Sequence, residues 1–387
     1  MDMGRTIKYL SVLSLSITCL WLSGMMGANV LLTAIQPIVY GNRSAWSVSK
    51  CFERLHESMF GVIAPFSTIE KNKIAVAYPT DSELYPTEFT FSVLNKENEE
   101  SSDQTSQVQG DKGEDSDTSI QTSAPVANEQ GVVYTAEMLQ DVNYFMNTFY
   151  LVDSSTYADG LLDAELFMDM DLSIHLSGEE PKVLIYHTHS QEGFSDSRAG
   201  VWQDTVVGLG DRLKSELEER YNISTLHVTD TFDVIDGVTD RSAAYTYAEE
   251  RIWQILEDYP SIQVIIDLHR DGVNENTRLV TNVNGKETAQ LMLLNGLCRT
   301  KTSGPISYLQ NEYLTENLAF SFQVQSKAAA YYPTLMRKIY LRSYQYNLHI
   351  LPRCLLVECG AQTNTVEEAQ NAMPLLADLL YLVLSGS

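Results

Sequence analysis

Two histidines and a glutamate follow a short apolar run near the middle of the chain. The run covers residues 183–186 and leads into His187, His189 and Glu192. Imidazole nitrogens and carboxylate oxygens are ligands that zinc prefers, and both can reach one ion at about 2.0–2.2 Å when a His-x-x-Glu pair leaves the end of a strand. The spacing therefore predicts His189 and Glu192 as metal ligands.

Two further apolar runs lead into residues of the same kind. Residues 264–268 precede His269, and residues 355–357 precede Glu358. Binding groups on parallel α/β sheets lie at the carboxyl ends of the strands, so we expect these residues to meet. His269 is the predicted third metal ligand. Glu358 is the predicted general base, because partial burial raises a carboxyl pKa towards the operating pH.

Two neighbouring residues leave alternatives open. His187 lies two residues before His189, so both point to one side of a strand. It fits a ligand, a partner that supports a ligand, or a core imidazole, and we favour the supporting partner. Arg270 follows His269 and is the second predicted catalytic residue, since its fork can polarise a carbonyl or bind a carboxylate. The alternative is a structural salt bridge to Asp267 or Asp271.

The elements around these motifs alternate between helix and strand. The apolar spacing predicts helices at residues 205–221, 242–259 and 311–340, the last broken at Pro333, and a final helix that begins at a Thr365–Glu368 capping box. Asn284-Gly285 predicts a hairpin between residues 278–283 and 288–294, and thus an antiparallel edge on the sheet. The order predicts an α/β fold with a mainly parallel sheet and flanking helices.

The rest of the chain predicts a membrane protein with an extended tether. Residues 9–30 carry no charge and are long enough to span a bilayer, with Arg5 and Lys8 before them on the cytoplasmic side. An uncleaved anchor is favoured over a signal peptide, because the apolar stretch continues to Ala34. We expect an anchor region at 1–40, a membrane-proximal segment at 41–94, a disordered acidic linker at 95–131 and a catalytic domain at 132–387.

Charge and cysteine usage exclude some classes of function. Acidic residues outnumber basic ones by 51 to 26, so the basic surface that a nucleic-acid partner requires is not expected. The five cysteines do not form a disulfide framework. Cys354 and Cys359 share one strand-like run where bonding geometry is poor. Free thiols, mostly buried, are the expected state.

Three separated motifs together resemble the stage II sporulation protein P family (SpoIIP). The motifs span residues 186–192, 267–272 and 356–365, and the resemblance extends from about Val133 to the C-terminus, behind an N-terminal anchor. It implies a fold like that of zinc amidases of the phosphorylase/hydrolase type and a zinc-dependent peptidoglycan hydrolase. The cleaved bond would be the one between N-acetylmuramic acid and L-Ala, with cross-link endopeptidase activity in some members.

The resemblance also implies a setting for the enzyme. It places the catalytic domain outside the cytoplasm, in the septum during engulfment, with SpoIID and SpoIIM as partners. Because related amidases take a carboxylate ligand from a helix, Glu249 or Glu250 are alternatives to Glu192. Two other functions stay open: an inactive wall-binding scaffold, and a zinc carboxypeptidase or deacylase acting on another amide.

The anchor makes a prediction about topology. A reporter fused after Ser387 should be active only outside the cytoplasm, since the positive charges hold the N-terminus inside. Reporter activity in fractionated cells checks this. A cytoplasmic signal would contradict the topology, and a mature N-terminus near Ala34 would show that the anchor is removed.

Overall fold

Residues 125–235 and 238–387 are described by the structure, a computed structural model of the chain. The helices are α1 (Val142–Phe149), α2 (Ala164–Asp169), α3 (Val206–Tyr221), α4 (Arg241–Asp258), α5 (Leu314–Tyr331) and α6 (Val366–Leu384). The strands are β1 (Tyr150–Val152), β2 (Val183–Tyr186), β3 (Thr225–His227), β4 (Val234–Ile235), β5 (Val238–Thr239), β6 (Val264–Asp271), β7 (Val280–Val283), β8 (Lys286–Ala289), β9 (Leu291–Gly296), β10 (Arg299–Thr300), β11 (Gly304–Pro305), β12 (Ile339–Arg342) and β13 (Cys354–Ala361).

A seven-stranded sheet forms the centre of this region, in the order β1-β12-β9-β13-β6-β2-β3. Its neighbouring strands are parallel except for β9 and β13, which pair antiparallel. The prediction of an α/β fold with a mainly parallel sheet and flanking helices is confirmed. In this fold, β2, β6 and β13 run side by side in one direction, so the three motif-bearing segments meet at one edge of the sheet.

The position of the antiparallel pairing corrects one prediction. The Asn284-Gly285 hairpin exists, with both residues at positive φ, but β7 and β8 form a separate two-stranded sheet. In the main sheet the antiparallel pairing joins β9 and β13, in the interior rather than at an edge, so that β1, β12 and β9 run opposite to β13, β6, β2 and β3. All six residues of β9 are buried, and a strand that is buried on both faces reads the same in either direction.

The segment after Pro333 corrects another prediction. A single helix, α5, ends at Tyr331, and the chain then re-enters the sheet as β12 instead of starting a second helix. Pro333 stops the helix because it cannot donate the backbone hydrogen bond that the next turn needs. The buried Ile339 and Leu341 alternate with more exposed neighbours, which suits a strand.

Apolar side chains cover both faces of the sheet. On one face, Ile185, Ile266 and Val357 pack with the buried residues of α3, α5 and α6. On the other face, Leu184 and Ile265 pack with those of α4. This alternation places successive strand residues on opposite faces. The sheet is therefore held between two helical layers, which fixes the ends of β2, β6 and β13.

The last helix begins as the sequence predicts, whereas the predicted anchor region is not described by the structure. Thr365 and Glu368 form the predicted capping box, each side chain accepting from the other's backbone N–H. Within the described ranges, no helix is long and apolar enough to cross a membrane. The predicted anchor, the membrane-proximal segment and most of the predicted linker lie outside the described residues.

Candidate functional site

The pairing of β6 with β13 brings the second and third motifs together. Glu358 and His269 are direct register partners on the two parallel strands, so their side chains lie on one face. Both lie inside their strands, not after them as predicted, because β6 continues to Asp271 and β13 to Ala361. The loop after β2 then carries His189 and Glu192 to the same place.

Glu192 lies at the centre of this group and is 1% exposed. Its Oε1 accepts from the Arg241 guanidinium at 2.8 Å, and its Oε2 accepts from the backbone N–H of Arg270 at 3.1 Å. The same Oε2 lies 3.3 Å from Nδ1 of His269. Burial alone would raise the pKa of Glu192, but His269 and Arg270 lower it well below its usual value, so it is ionised.

His269 lies between two carboxylates. Besides Glu192 at Nδ1, Asp267 Oδ1 lies 2.8 Å from Nε2, although the two atoms are not aligned as a directed hydrogen bond. Asp267 is held in turn by Thr188, whose backbone N–H and hydroxyl donate to it at 2.9 and 2.6 Å. Burial lowers the pKa of His269, but the two carboxylates outweigh it and raise that pKa well above its usual value.

His189 faces His269 across the site. Their ring centres are 5.3 Å apart, and the ring centre of Tyr245 lies 5.6 Å from that of His189 in an edge-to-face contact. His189 is 2% exposed, and neither of its ring nitrogens has a hydrogen-bond partner among the described residues. Burial lowers the pKa of His189 to about 3, so the ring is neutral and its lone pair is available.

Glu358 is the second carboxylate of the site and is 4% exposed. Burial and the nearby Asp271 raise the pKa of Glu358 to about 8. Its Oε2 has no hydrogen-bond partner in the described part of the chain. Arg337 holds Asp271 in place through a 2.6 Å ion pair. Glu358 therefore has the features expected of a proton-transfer group: a raised pKa and an oxygen able to accept.

Arg270 makes backbone contacts rather than the salt bridge considered from the sequence. Its Nε donates to the carbonyl of Gly193 at 3.1 Å, and its terminal nitrogen donates to the carbonyl of Asp271 at 3.2 Å. The carboxylates named as alternatives are paired elsewhere, Asp267 with His269 and Asp271 with Arg337. These contacts hold the Arg270 guanidinium beside the loop that carries Glu192.

His187 belongs to a separate chain of contacts beneath the site. Its Nδ1 lies 2.7 Å from the carbonyl of Leu268, and its Nε2 lies 2.8 Å from Nε2 of His227, which contacts Asp211 at 2.9 Å. A Cβ on Gly210 would lie 2.3 Å from one imidazole and 2.7 Å from the other, so only glycine allows α3 to pack this closely. The supporting role favoured for His187 stays a prediction.

The donor types at the site suit zinc, although they do not form a closed cage. Within residues 125–235 and 238–387, no three His, Cys, Asp or Glu side chains are arranged to hold one ion together. His189 nevertheless offers two unpaired buried nitrogens. Two imidazoles on a tetrahedral zinc have ring centres about 5 Å apart, close to the 5.3 Å found between His189 and His269. The residues present therefore fit the ion.

The other candidates from the sequence have different surroundings. Glu249 is 34% exposed and pairs with His349 at 3.1 Å, and Glu250 is exposed. Of the carboxylates named for the third ligand, only Glu192 lies beside His269. Cys298, Cys354 and Cys359 are free and buried, as expected.

Two residues at the site were missed by sequence reasoning. Asp233 lies between β3 and β4, and Arg241 is the first residue of α4; neither position carries a motif. Arg241 binds Glu192, and Asp233 is 1% exposed with its Oδ2 lying 4.0 Å from Nδ1 of His189. Burial raises the pKa of Asp233, against the effect of Arg241. The sequence signal for Arg241 was Asp240, an N-cap residue type that marks the start of α4 and therefore the position of Arg241.

The chain belongs to the stage II sporulation protein P (SpoIIP) family, whose family model matches residues 58–381. The stage II sporulation protein P of Bacillus subtilis (strain 168) is 24% identical over 218 residues, which is 52% of this chain and 51% of that protein. The chain thus spans about half the length of this curated relative. The family resemblance found in the three motifs is confirmed.

Solved structures with some similarity are amidases of low sequence identity. The N-acetylmuramyl-L-alanine amidase Ami1 of Mycobacterium smegmatis is 11% identical, with a TM-score of 0.31, covering 55% of this chain and 100% of its own. The N-acetylmuramoyl-L-alanine amidase AmiC2 of Nostoc punctiforme is 16% identical, with a TM-score of 0.31, covering 53% and 98%.

The raised pKa of Glu358 predicts that replacing this residue stabilises the fold by an amount that depends on pH. The unfolded chain loses this proton near pH ~4.3, whereas the fold keeps it up to a pKa of about 8. Between these values, stability falls as the pH rises. In chelator-treated protein, E358Q should therefore gain on the order of 1–3 kcal/mol over the parent from about pH 5 to about pH 8. Denaturant unfolding measures this, with the exposed Glu275→Gln as control. A pH-independent difference would contradict the prediction.

The Asp211 contact predicts the behaviour of His227. Burial lowers the pKa of His227, and Asp211 opposes this by stabilising the imidazolium. Asp211→Asn should lower that pKa further, because the compensating negative charge is lost. Histidine NMR during an acid titration gives the midpoint, with the exposed Asp258→Asn as control. An unchanged His227 midpoint in Asp211→Asn would contradict the prediction, since it would show that Asp211 does not affect the pKa of His227.

Proposed function

We propose that this protein is a zinc-dependent N-acetylmuramoyl-L-alanine amidase that degrades peptidoglycan during sporulation. One observation carries the proposal: His189, Glu192, His269 and Glu358 come from three separate segments and meet in one buried cluster. Membership of the sporulation family supplies the biological setting. Such a convergence of ligand-type residues and a carboxyl of raised pKa is typical of a hydrolytic site.

His189, Glu192 and His269 would hold the zinc ion, leaving a fourth position open. When bound, the ion supplies a Lewis acid that lowers the pKa of water to roughly 7 and polarises the amide carbonyl. His189 is suited to this because it is neutral and unpaired. Glu192 contributes a negative charge, because its neighbours His269 and Arg270 lower its pKa and keep the carboxyl group ionised.

Glu358 would move the proton. Its free Oε2 accepts a proton from the attacking water and returns it to the amine as the amide bond breaks. Glu358 must be deprotonated to begin this cycle, and its pKa near 8 is lowered by any cation added beside it. Arg270, held between Gly193 and Asp271, would bind a carbonyl or a stem-peptide carboxylate.

Family membership suggests which amide bond is cleaved and where in the cell the protein acts. The substrate would be the amide that joins the lactyl group of N-acetylmuramic acid to L-Ala, with cross-link cleavage as a further activity. We propose a single-pass membrane protein whose catalytic domain lies outside the cytoplasm, in the septal space, with SpoIID and SpoIIM as partners. Products released from purified sacculi, analysed by mass, separate this amidase from a carboxypeptidase, a deacylase or an inactive scaffold.

Substitutions at the site should separate zinc binding from proton transfer. His189→Ala and His269→Ala should lose zinc and activity together, because two remaining protein ligands rarely retain the ion. Glu358→Gln should keep zinc and the fold while activity falls by a factor on the order of 10²–10⁴. Metal analysis and sacculus degradation by the full chain measure both effects.

The control is His175→Ala, since the His175 side chain is exposed and its hydrogen bond is to Ser177 at the surface. Glu192→Gln decides the carboxylate ligand, because a ligand variant should lose zinc. Full zinc occupancy in Glu192→Gln would move the third ligand to another residue, with Glu249, Glu250 and His187 as the alternatives from the sequence. An active preparation without zinc would overturn the metal mechanism.

A further inference from the structure

His189 and Asp233 form a complementary pair of buried, unpaired groups. Asp233 Oδ2 lies 4.0 Å from Nδ1 of His189, and both residues are at most 2% exposed. Neither atom has a hydrogen-bond partner among the described residues. A buried polar atom without a hydrogen-bond partner destabilises the fold, so two such atoms that face each other indicate that the pair has a function.

The surroundings of Asp233 hold its carboxylate in this orientation. Its other oxygen, Oδ1, accepts from the Ser190 hydroxyl at 3.4 Å, next in the chain to His189. Its backbone carbonyl accepts from the N–H of Asp240 at 2.9 Å, which ties the segment to the start of α4. The Asp233 side chain is therefore presented to His189 by contacts at both ends of the segment.

A matching arrangement exists at the other imidazole. Asp267 lies against one nitrogen of His269, while the other nitrogen faces Glu192. A histidine that binds metal almost always places its second nitrogen against a carboxylate, a carbonyl or water, which fixes the tautomer and raises the basicity of the ligand. Among the described residues, Asp233 is the carboxylate that faces Nδ1 of His189.

We propose that Asp233 is the positioning residue for His189: it favours the proton on Nδ1 and so directs Nε2 to the zinc ion. This inference rests on the proposed zinc site and adds to it the residue that sets one ligand's tautomer. Asp233 lies opposite the ligating nitrogen, so it acts through His189 and does not bind the ion. The fold supplies this carboxylate from a segment outside all three motifs.

Zinc affinity of the full chain tests the proposal. Asp233→Ala should still bind one zinc, with affinity reduced about 10–100-fold, as expected for loss of a partner behind a ligand. Asp233→Asn keeps an acceptor of the same shape but not the charge, so its affinity should lie between those of Asp233→Ala and the parent. The matched control is Asp230→Ala, since Asp230 lies in the same segment but pairs with Arg251 at the surface.

The tautomer of His189 gives a readout that a merely structural role would not move. In the zinc-loaded parent, ¹⁵N NMR should show His189 protonated at Nδ1 and bound through Nε2. Binding through Nδ1, or an unchanged affinity in Asp233→Ala, would overturn the inference while leaving the zinc site intact. Complete loss of zinc in a folded Asp233→Ala would overturn it too, by making Asp233 a ligand. Absence of zinc from the parent would instead overturn the proposed function and this inference together.

Discussion

Charge balance around a buried carboxylate is the constraint on which the site depends. Glu192 is almost fully buried yet ionised, and a charge in such a place is costly unless it is paired and hydrogen-bonded. The fold supplies three partners from two elements: Arg241 from α4, and His269 and the backbone N–H of Arg270 from β6. Removing one partner of such a group typically costs 3–5 kcal/mol. The relative positions of β2, β6 and α4 are thus tied to one side chain.

Close packing beneath the site adds a second constraint. The His187–His227 contact is buried against α3, and Gly210 is the residue that lets the helix approach it. Because His187 also contacts the carbonyl of Leu268, the residue before His269, this layer links α3 and β3 to the strand that carries a predicted ligand. A larger residue at position 210 would have to move the helix or the imidazoles. The packing beneath the site therefore depends on particular residues, as the site does: His187, His227 and Gly210.

The sequence predicted those parts of the site that follow from strand geometry. His269 and Glu358 directly follow apolar runs, His189 and Glu192 lie within six residues of another, and parallel strands bring such positions to one end of the sheet. Asp233 and Arg241 could not be found in this way. Asp233 lies outside every motif and meets His189 only in the folded chain, and Arg241 reaches Glu192 because α4 begins at this residue.

The same limit explains the errors in the fold. All six positions of the strand β9 are buried, so its sequence shows no alternation that would reveal its direction in the sheet. The residues after Pro333 continue a pattern that fits a helix for a few positions, and only the gap between β1 and β9 in the sheet makes Ile339–Arg342 a strand. Tertiary pairing decided both cases. Turn and cap residues predicted local structure correctly without tertiary information: Asn284-Gly285 forms the turn of a hairpin, and Thr365 is the N-cap of α6.

The same charge balance bears on how the site could accept zinc. In the structure, His269 lies between Asp267 and Glu192, which together favour its protonated form. A histidine that binds metal must be neutral, so His269 would have to give up that proton when the proposed ion binds. The net gain of positive charge is then about one unit rather than two. Arg241 already occupies Oε1 of Glu192, whereas Oε2 faces His269, so Oε2 is the oxygen that this carboxylate would offer to the proposed ion.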